Sequence, residues 1–139
     1  MTAGPILGVD YGDARTGIAV SDSSGKLAGH VGVIHAKGMR SACNQVAEAA
    51  RKHKAVSIVV GLPLNMDDTE GARADKARAF ADMLREMTGL PVTLWDERLT
   101  TVEAYDIMDN LGIRGARRRE MVDAISAQII LQEYLDSNK

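Results

Sequence analysis

Apolar and polar positions along the chain follow two different periods, which predict strands first and then alternating helices and strands. Near the start of the chain, three apolar runs are separated by short turn segments, a pattern typical of an antiparallel three-strand meander. Two later apolar runs are short and rich in β-branched residues, as in parallel strands that are buried on both faces. The predicted strands cover residues 5–9, 16–20, 27–34, 56–60 and 92–95.

Four other segments carry apolar side chains at the 3.6-residue period of a helix that packs one face on a sheet. They cover residues 41–53, 74–87, 100–111 and 120–135. The order β-β-β-α-β-α-β-α-α predicts an α/β fold with a mixed five-stranded sheet. In this sheet the antiparallel meander joins parallel strands, and helices flank both faces. A length of 139 residues suits a single domain, 1–139, with one core.

Amino-acid composition limits the binding partners and the cellular compartment that we expect for the protein. With 17 Lys and Arg residues against 19 Asp and Glu residues, the net charge is −2, so any contact with nucleic acid must come from a local basic patch. No apolar run reaches the roughly 20 residues that span a bilayer, so we expect no membrane partner. The first residues do not resemble a signal peptide, and Cys43 has no second cysteine with which to form an internal disulfide. These features predict a cytoplasmic protein.

Acidic residues stand at the ends of two predicted strands. Asp10 ends the first strand, and Asp96 and Glu97 end the fifth. Because ligands bind at the carboxyl ends of parallel strands, neighbouring strands would bring these carboxylates together at one sheet edge. The alternative is that each acid simply ends its strand in solvent. Two acids at equivalent strand ends make that alternative weaker.

Asp123 lies on a predicted helix face that is otherwise apolar. It shares this face with Ala127, Ile130 and Tyr134, at the spacing of successive helical turns. A carboxylate packed against the sheet destabilises the fold by several kcal/mol unless a partner offsets its burial. Two interpretations remain: a buried salt bridge, with Arg98 as the candidate partner, or a cation site shared with other carboxylates.

The cation site is the favoured interpretation. Three carboxylates supply only oxygen ligands, which suit hard cations such as Mg²⁺ or Mn²⁺, and no cluster of Cys and His residues favours zinc. One or two such ions can activate a water and stabilise the leaving oxygen in phosphodiester hydrolysis. The acids therefore predict a metal-dependent nuclease. No P-loop, Ser-His-Asp order or dinucleotide-binding motif offers a competing chemistry.

Four segments resemble, in order, the sequence motifs of the YqgF/RuvX family. They are GVDYG at 8–12, VGLPLN at 60–65, DERLTT at 96–101 and DAISA at 123–127. The resemblance covers essentially the whole chain, and it implies an RNase H-like fold and a divalent-metal nuclease. Members of the family are described both as Holliday junction resolvases and as nucleases that mature the 5′ end of the small-subunit (16S) rRNA precursor.

By position in these motifs, the resemblance implies that Asp10, Glu97 and Asp123 are the catalytic and metal-binding acids. Asp96 precedes the motif glutamate and is the alternative to Glu97 as a metal ligand. Substrate contacts are expected from basic and polar side chains near the acids, namely Arg15, Asn65, Arg98, Thr100, Arg117, Arg118 and Arg119.

Several of these expected substrate contacts have a structural alternative. Arg15 could pair with Asp13 across a turn rather than bind a phosphate. Thr100 could cap the following helix, because a glutamate stands three residues later in a capping box. Arg98 could orient Glu97 as well as bind a phosphate. The arginine run could be solvated surface rather than a phosphate-binding patch.

Two other classes of function compete with the nuclease. A phosphotransferase of the actin and sugar-kinase superfamily also begins with an Asp-x-Gly loop, but it needs a second phosphate loop that this sequence does not show. A non-catalytic nucleic-acid-binding module is disfavoured because all three acids are present. The acidic charge balance slightly favours the rRNA precursor over branched DNA as the substrate. A four-way junction calls for two active sites on a symmetric dimer, and the sequence leaves monomer or homodimer open.

Overall fold

The computed structural model describes residues 4–64, 69–97, 100–113 and 115–137, in which strands and helices follow the predicted order. The strands are β1 (Ile6–Asp10), β2 (Arg15–Ser21), β3 (Ala28–His35), β4 (Ser57–Leu62) and β5 (Val92–Asp96). The helices are α1 (Met39–Lys52), α2 (Ala72–Thr88), α3 (Thr100–Leu111) and α4 (Ala116–Ser137). Among these residues, no helix combines the length and the apolarity needed to cross a bilayer.

The strands form one sheet in the order β3-β2-β1-β4-β5. β2 pairs antiparallel with both β1 and β3, whereas β4 runs parallel to both β1 and β5. The predicted α/β fold, an antiparallel meander joined to parallel strands, is confirmed. Because β1, β4 and β5 run in one direction, their last residues meet at one edge of the sheet. This acid edge is formed by Asp10, Leu62 and Asp96.

Helices cover both faces of the sheet, as predicted. On one face, Leu7 of β1 is fully buried in a cluster with Val46 of α1 and Phe80 of α2. On the other face, α4 crosses β1, β2 and β3, and Ala19 and Leu131 are fully buried there. Helix α3 packs on α4. The core therefore has two apolar layers, one on each side of the sheet.

Some predicted helix boundaries were wrong, and one of these differences places predicted substrate-binding residues inside a helix. Strands β1 and β5 end at Asp10 and Asp96, which agrees with the predicted placement of these acids at strand ends. Helix α4 begins at Ala116 instead of residue 120, directly after Gly115, whose φ of 72° lies in the left-handed region. The arginine run at 117–119 therefore belongs to the start of α4, since arginine is a good helix former.

Helix α4 lies directly on the sheet because two strands carry glycine where it crosses them. A Cβ atom at Gly17 of β2 would overlap the backbone oxygen of Asp123. A Cβ atom at Gly8 of β1 would stand 2.7 Å from the Cβ atom of Leu131. Any side chain at these points would push the helix away. The two contacts therefore set the position of α4, and with it the position of Asp123.

Replacing Gly17 by Ala should destabilise the protein by about 1–3 kcal/mol or more, the usual cost of overpacking a close contact. Gly32→Ala on β3 is the matched control, because the nearest atom to a Cβ there is Cγ1 of Ile18 at 3.8 Å. Urea unfolding measures the free energy of unfolding of both variants. Equal free energies in the two variants would contradict the close packing of α4 on β2.

Candidate active site

Asp10 and Glu97 are brought together at the acid edge although they are remote in the sequence. Asp10 ends β1, and Glu97 directly follows β5. The two residues are only 7% and 9% exposed. The amide of Glu97 donates a hydrogen bond of 3.2 Å to the carbonyl of Leu62 at the end of β4, the strand that lies between β1 and β5. Pairing of three parallel strands thus places two carboxyl groups side by side in the protein interior.

Gly61 of β4 provides the space for the Glu97 carboxyl group. A Cβ atom at this position would stand 2.7 Å from Cδ of Glu97 and 2.8 Å from its Oε2 atom. The same Cβ atom would stand 2.7 Å from Cδ1 of Ile130 on α4. The Glu97 carboxyl group therefore occupies a slot next to β4 and α4 that exists only because residue 61 is glycine.

Burial of this pair changes the acidity of both groups. Desolvation is the largest cause, raising the pKa of Asp10 from 3.8 to about 6 and the pKa of Glu97 from 4.5 to about 9. The negative charge of Asp10 raises the pKa of Glu97 further, whereas their mutual hydrogen bond lowers the pKa of Asp10. At neutral pH and without a bound cation, Glu97 therefore keeps its proton and donates it in a hydrogen bond to the Asp10 carboxylate.

Asp123 on α4 completes the group of acids and is held by Arg15. Nε of Arg15 donates a hydrogen bond of 2.9 Å to Oδ2 of Asp123. Burial raises the pKa of Asp123, and the Arg15 hydrogen bond opposes this rise. The charge of Asp123 in turn raises the pKa of Asp10, so the two carboxylates are within electrostatic reach of each other.

Among the described residues, the partner of Asp123 is Arg15, on a strand that α4 crosses. The partner considered from the sequence, Arg98, lies outside the described residues, so that pairing stays a prediction. The alternative pairing of Arg15 with Asp13 is wrong, because Arg15 bonds Asp123 and the carboxylate of Asp13 accepts hydrogen bonds of 3.1 Å from Lys76.

The structure distinguishes between the two adjacent acids that follow the fifth strand. Asp96 is exposed, whereas Glu97 is buried and hydrogen-bonded to Asp10. Asp96 acts on the pair from outside, since its charge raises the pKa of Glu97. Glu97 is therefore the acid that β5 contributes to the buried pair.

The donor chemistry of the three acids fits a hard cation, although no metal-binding group is preformed. Among the described residues, no three Asp, Glu, His or Cys side chains are arranged to hold a metal ion as they stand. Asp10 and Glu97 are hydrogen-bonded to each other, and Asp123 is bonded to Arg15. Two buried carboxyl groups with raised pKa values nevertheless form a place where a cation would relieve repulsion and replace a proton.

Arg73 is a charged residue of this site that the sequence pattern did not reveal. It lies in the first turn of α2, and its positive charge lowers the pKa of Asp10, Glu97 and Asp123 alike. The apolar period placed the start of this helix at residue 74 and left Arg73 outside it. The chain order could have indicated Arg73, because a helix that follows a parallel strand begins on the side of the sheet where that strand ends. Helix α2 follows β4, so its first turn lies on the same side as the acids.

Several predicted substrate-binding residues are not tested by the structure. Asn65 and Arg98 lie outside the described residues. The backbone of α3 begins at Thr100 and that of α4 at Ala116, but the side chains of Thr100 and of residues 117–119 are outside the description. Their contacts with substrate remain predictions.

The sheet order and the acids at its carboxyl edge define an RNase H-like domain, and solved structures share this fold. One is "T. thermophilus RuvC in complex with Holliday junction substrate", with a TM-score of 0.60, 14% identity and coverage of 97% of this chain and 95% of that chain. Another is the fowlpox virus resolvase bound to Holliday junction DNA, with a TM-score of 0.63, 10% identity and coverage of 96% and 98%.

Sequence comparison assigns the chain to a family within this class. The family described as "RuvX: Holliday junction resolvase" matches residues 4–137, and the chain belongs to this family. A relative from Pelotomaculum thermopropionicum is 44% identical over 133 residues, covering 95% of this chain and 86% of that protein. One from Myxococcus xanthus is 41% identical, covering 96% and 88%. Both are named "Putative pre-16S rRNA nuclease". The resemblance seen in the four motifs is confirmed.

In EDTA, the thermal stability of the protein should fall as the pH rises from about 5 to about 9. The folded-state pKa values of Asp10 and Glu97 are raised, so their protons stabilise the fold at low pH, and this contribution is lost as the pH passes about 6 and then about 9. Glu97→Gln should flatten this decline, because its side chain cannot ionise. Glu86→Gln, at an exposed position on α2, is the control and should keep the wild-type slope. A decline of equal size in all three proteins would show that the buried pair does not govern it.

Proposed function

We propose that the protein is a divalent-metal-dependent nuclease that holds Mg²⁺ or Mn²⁺ with Asp10, Glu97 and Asp123. The observation that carries this proposal is the burial of Asp10 and Glu97 side by side at the carboxyl ends of two parallel strands. Two acids with a purely structural role in this position would destabilise the fold, and no interaction would offset their burial. In the proposed nuclease, a bound cation offsets the cost of burying these acids.

The side chains of the site have separable tasks in this proposal. Asp10 is the first to ionise, since its pKa is about 6, and Glu97 must lose its proton before it can act as a ligand. Cation binding is therefore coupled to proton release from Glu97. Arg15 engages one oxygen of Asp123, Oδ2, and thereby orients this carboxylate while α4 holds its backbone in place. When bound, the metal supplies an activated water and stabilises the leaving oxygen.

The favoured substrate is the 5′ end of the 16S rRNA precursor. Relatives that are 41–44% identical over nearly the whole chain carry the name "Putative pre-16S rRNA nuclease". The net charge of −2 suits a selective RNA-processing enzyme better than a strong binder of duplex DNA. Such an enzyme would act in the cytoplasm, where precursor rRNA is present in bacteria.

Cleavage of four-way DNA junctions is the second candidate activity. The family description favours it, since the matching family is described as a Holliday junction resolvase. Resolution requires two active sites acting together, so this activity would need a homodimer, whereas RNA processing is compatible with a monomer or a homodimer. The solved junction complexes are only 10–14% identical to this chain and support the fold rather than the substrate.

Asp10→Asn and Asp123→Asn should each reduce metal-dependent cleavage by about 10³-fold or more, because a metal ligand supplies several kcal/mol of transition-state stabilisation. The matched control is Asp106→Asn, which changes an exposed acid on α3. The assay compares a 16S precursor RNA with a four-way DNA junction, each with Mn²⁺, with Mg²⁺ and with EDTA. Cleavage of the RNA alone is expected. Full activity of both site variants would contradict the assigned acids, and cleavage of the junction alone would overturn the preferred substrate.

A further inference from the structure

Arg73 is an exposed cation close to the acid edge. Among the described residues, Arg73 forms no hydrogen bond or salt bridge, and its side chain is exposed. Two other described cations of this region are engaged, Arg15 with Asp123 at 2.9 Å and Lys76 with Asp13 at 3.1 Å. Of the arginine and lysine side chains described in this region, Arg73 is therefore the one that no described acid holds.

Arg73 also lines a small cleft. The cleft is lined by Arg73 and Lys76, one turn apart on α2, and by the loop that directly follows Asp10, namely Tyr11, Gly12 and Asp13. Tyr11 directly follows Asp10, so the cleft lies next to the candidate metal site, and the charge of Arg73 also acts on all three acids. A strand whose scissile phosphate is at the acids can place a neighbouring phosphate in this cleft.

The wall of this cleft is held in a fixed position. The ring of Tyr11 stacks on Phe80 of α2, with ring centroids 4.5 Å apart and an interplanar angle of 19°. Lys76 joins the same helix to Asp13 through its ammonium group. These two contacts join the loop that follows Asp10 to the helix that carries Arg73.

We infer that Arg73 is a substrate-positioning residue that binds a phosphate of the nucleic-acid strand next to the one that is cleaved. A guanidinium group presents a planar pair of donors that matches two phosphate oxygens. The position is suited to this task because a phosphodiester approaching three acids is repelled until it is held by a cation outside them. This inference rests on the proposed nuclease function and adds the part of the site that holds the strand.

Binding of a fluorescent RNA spanning the 5′ end of 16S rRNA, measured in EDTA, tests this inference without relying on cleavage. Arg73→Gln should weaken binding about tenfold and reduce the slope of log K against log salt by about 0.7, the contribution of one contacted phosphate on a single strand. Arg73→Lys should restore most of the slope because it keeps the charge. Arg51→Gln is the matched control, since this exposed arginine lies near the end of α1, at the opposite edge of the sheet.

A second measurement identifies the phosphate and separates positioning from a general effect of charge. Neutral methylphosphonate linkages are placed one at a time in the RNA, and kcat and KM are measured with Mn²⁺. When the neutral linkage stands at one position next to the cleaved linkage, kcat/KM of the wild-type enzyme should fall about tenfold. The kcat/KM of Arg73→Gln should not fall further, because this variant already lacks the contact with that phosphate. Thermal unfolding of both arginine variants should match the wild type, because both side chains are exposed.

The outcomes separate this inference from the proposed function. An active enzyme whose Arg73→Gln variant binds RNA with the same affinity and salt slope as Arg51→Gln would overturn the inference and leave the nuclease standing. A shift of the pH profile alone, at unchanged KM, would also overturn it, because Arg73 would then act only on the acids. Weaker RNA binding by Arg73→Gln, together with no cleavage by the wild-type protein, would support the strand-binding role and contradict the nuclease.

Discussion

Helix α4 packs so closely on the sheet that no side chain separates it from β1 and β2 at Gly8 and Gly17. The relative positions of the acids depend on this contact. Gly8 and Gly17 remove the side chains that would otherwise separate the helix from β1 and β2. Gly61 does the same where Ile130 and the carboxyl group of Glu97 meet β4. If α4 moved outward, Asp123 would be drawn away from Arg15. Packing of one helix thus determines whether acids from three separate elements act together.

The same close packing has a cost in stability. Asp10 and Glu97 are placed in the interior without a counter-ion bonded to either of them among the described residues, and burial raises both pKa values. The fold tolerates the pair through a shared proton. A bound divalent cation would replace that proton and offset the repulsion that the fold alone cannot remove. Strain of this kind is common at functional sites, where stability is given up for chemistry.

The predictable parts of the fold and of the site were those that depend on local pattern and strand topology. Asp10 and Glu97 follow apolar runs, and parallel pairing brings such strand ends together regardless of other details. The salt bridge between Arg15 and Asp123 spans 108 positions and depends on where α4 crosses β2, which no periodicity specifies. Arg73 was not predicted, because the apolar positions of α2 begin after it, at Ala74.

The central claim is that the buried acid pair is a cation site, and Mn²⁺-dependent thermal stabilisation tests it most directly. At about pH 8 the wild-type protein should gain stability with increasing Mn²⁺, and the gain should shrink at about pH 5, where both acids hold their protons. Asp10→Asn should gain little at either pH. Equal stabilisation of the wild-type and Asp10→Asn proteins, or a gain that does not depend on pH, would contradict the account.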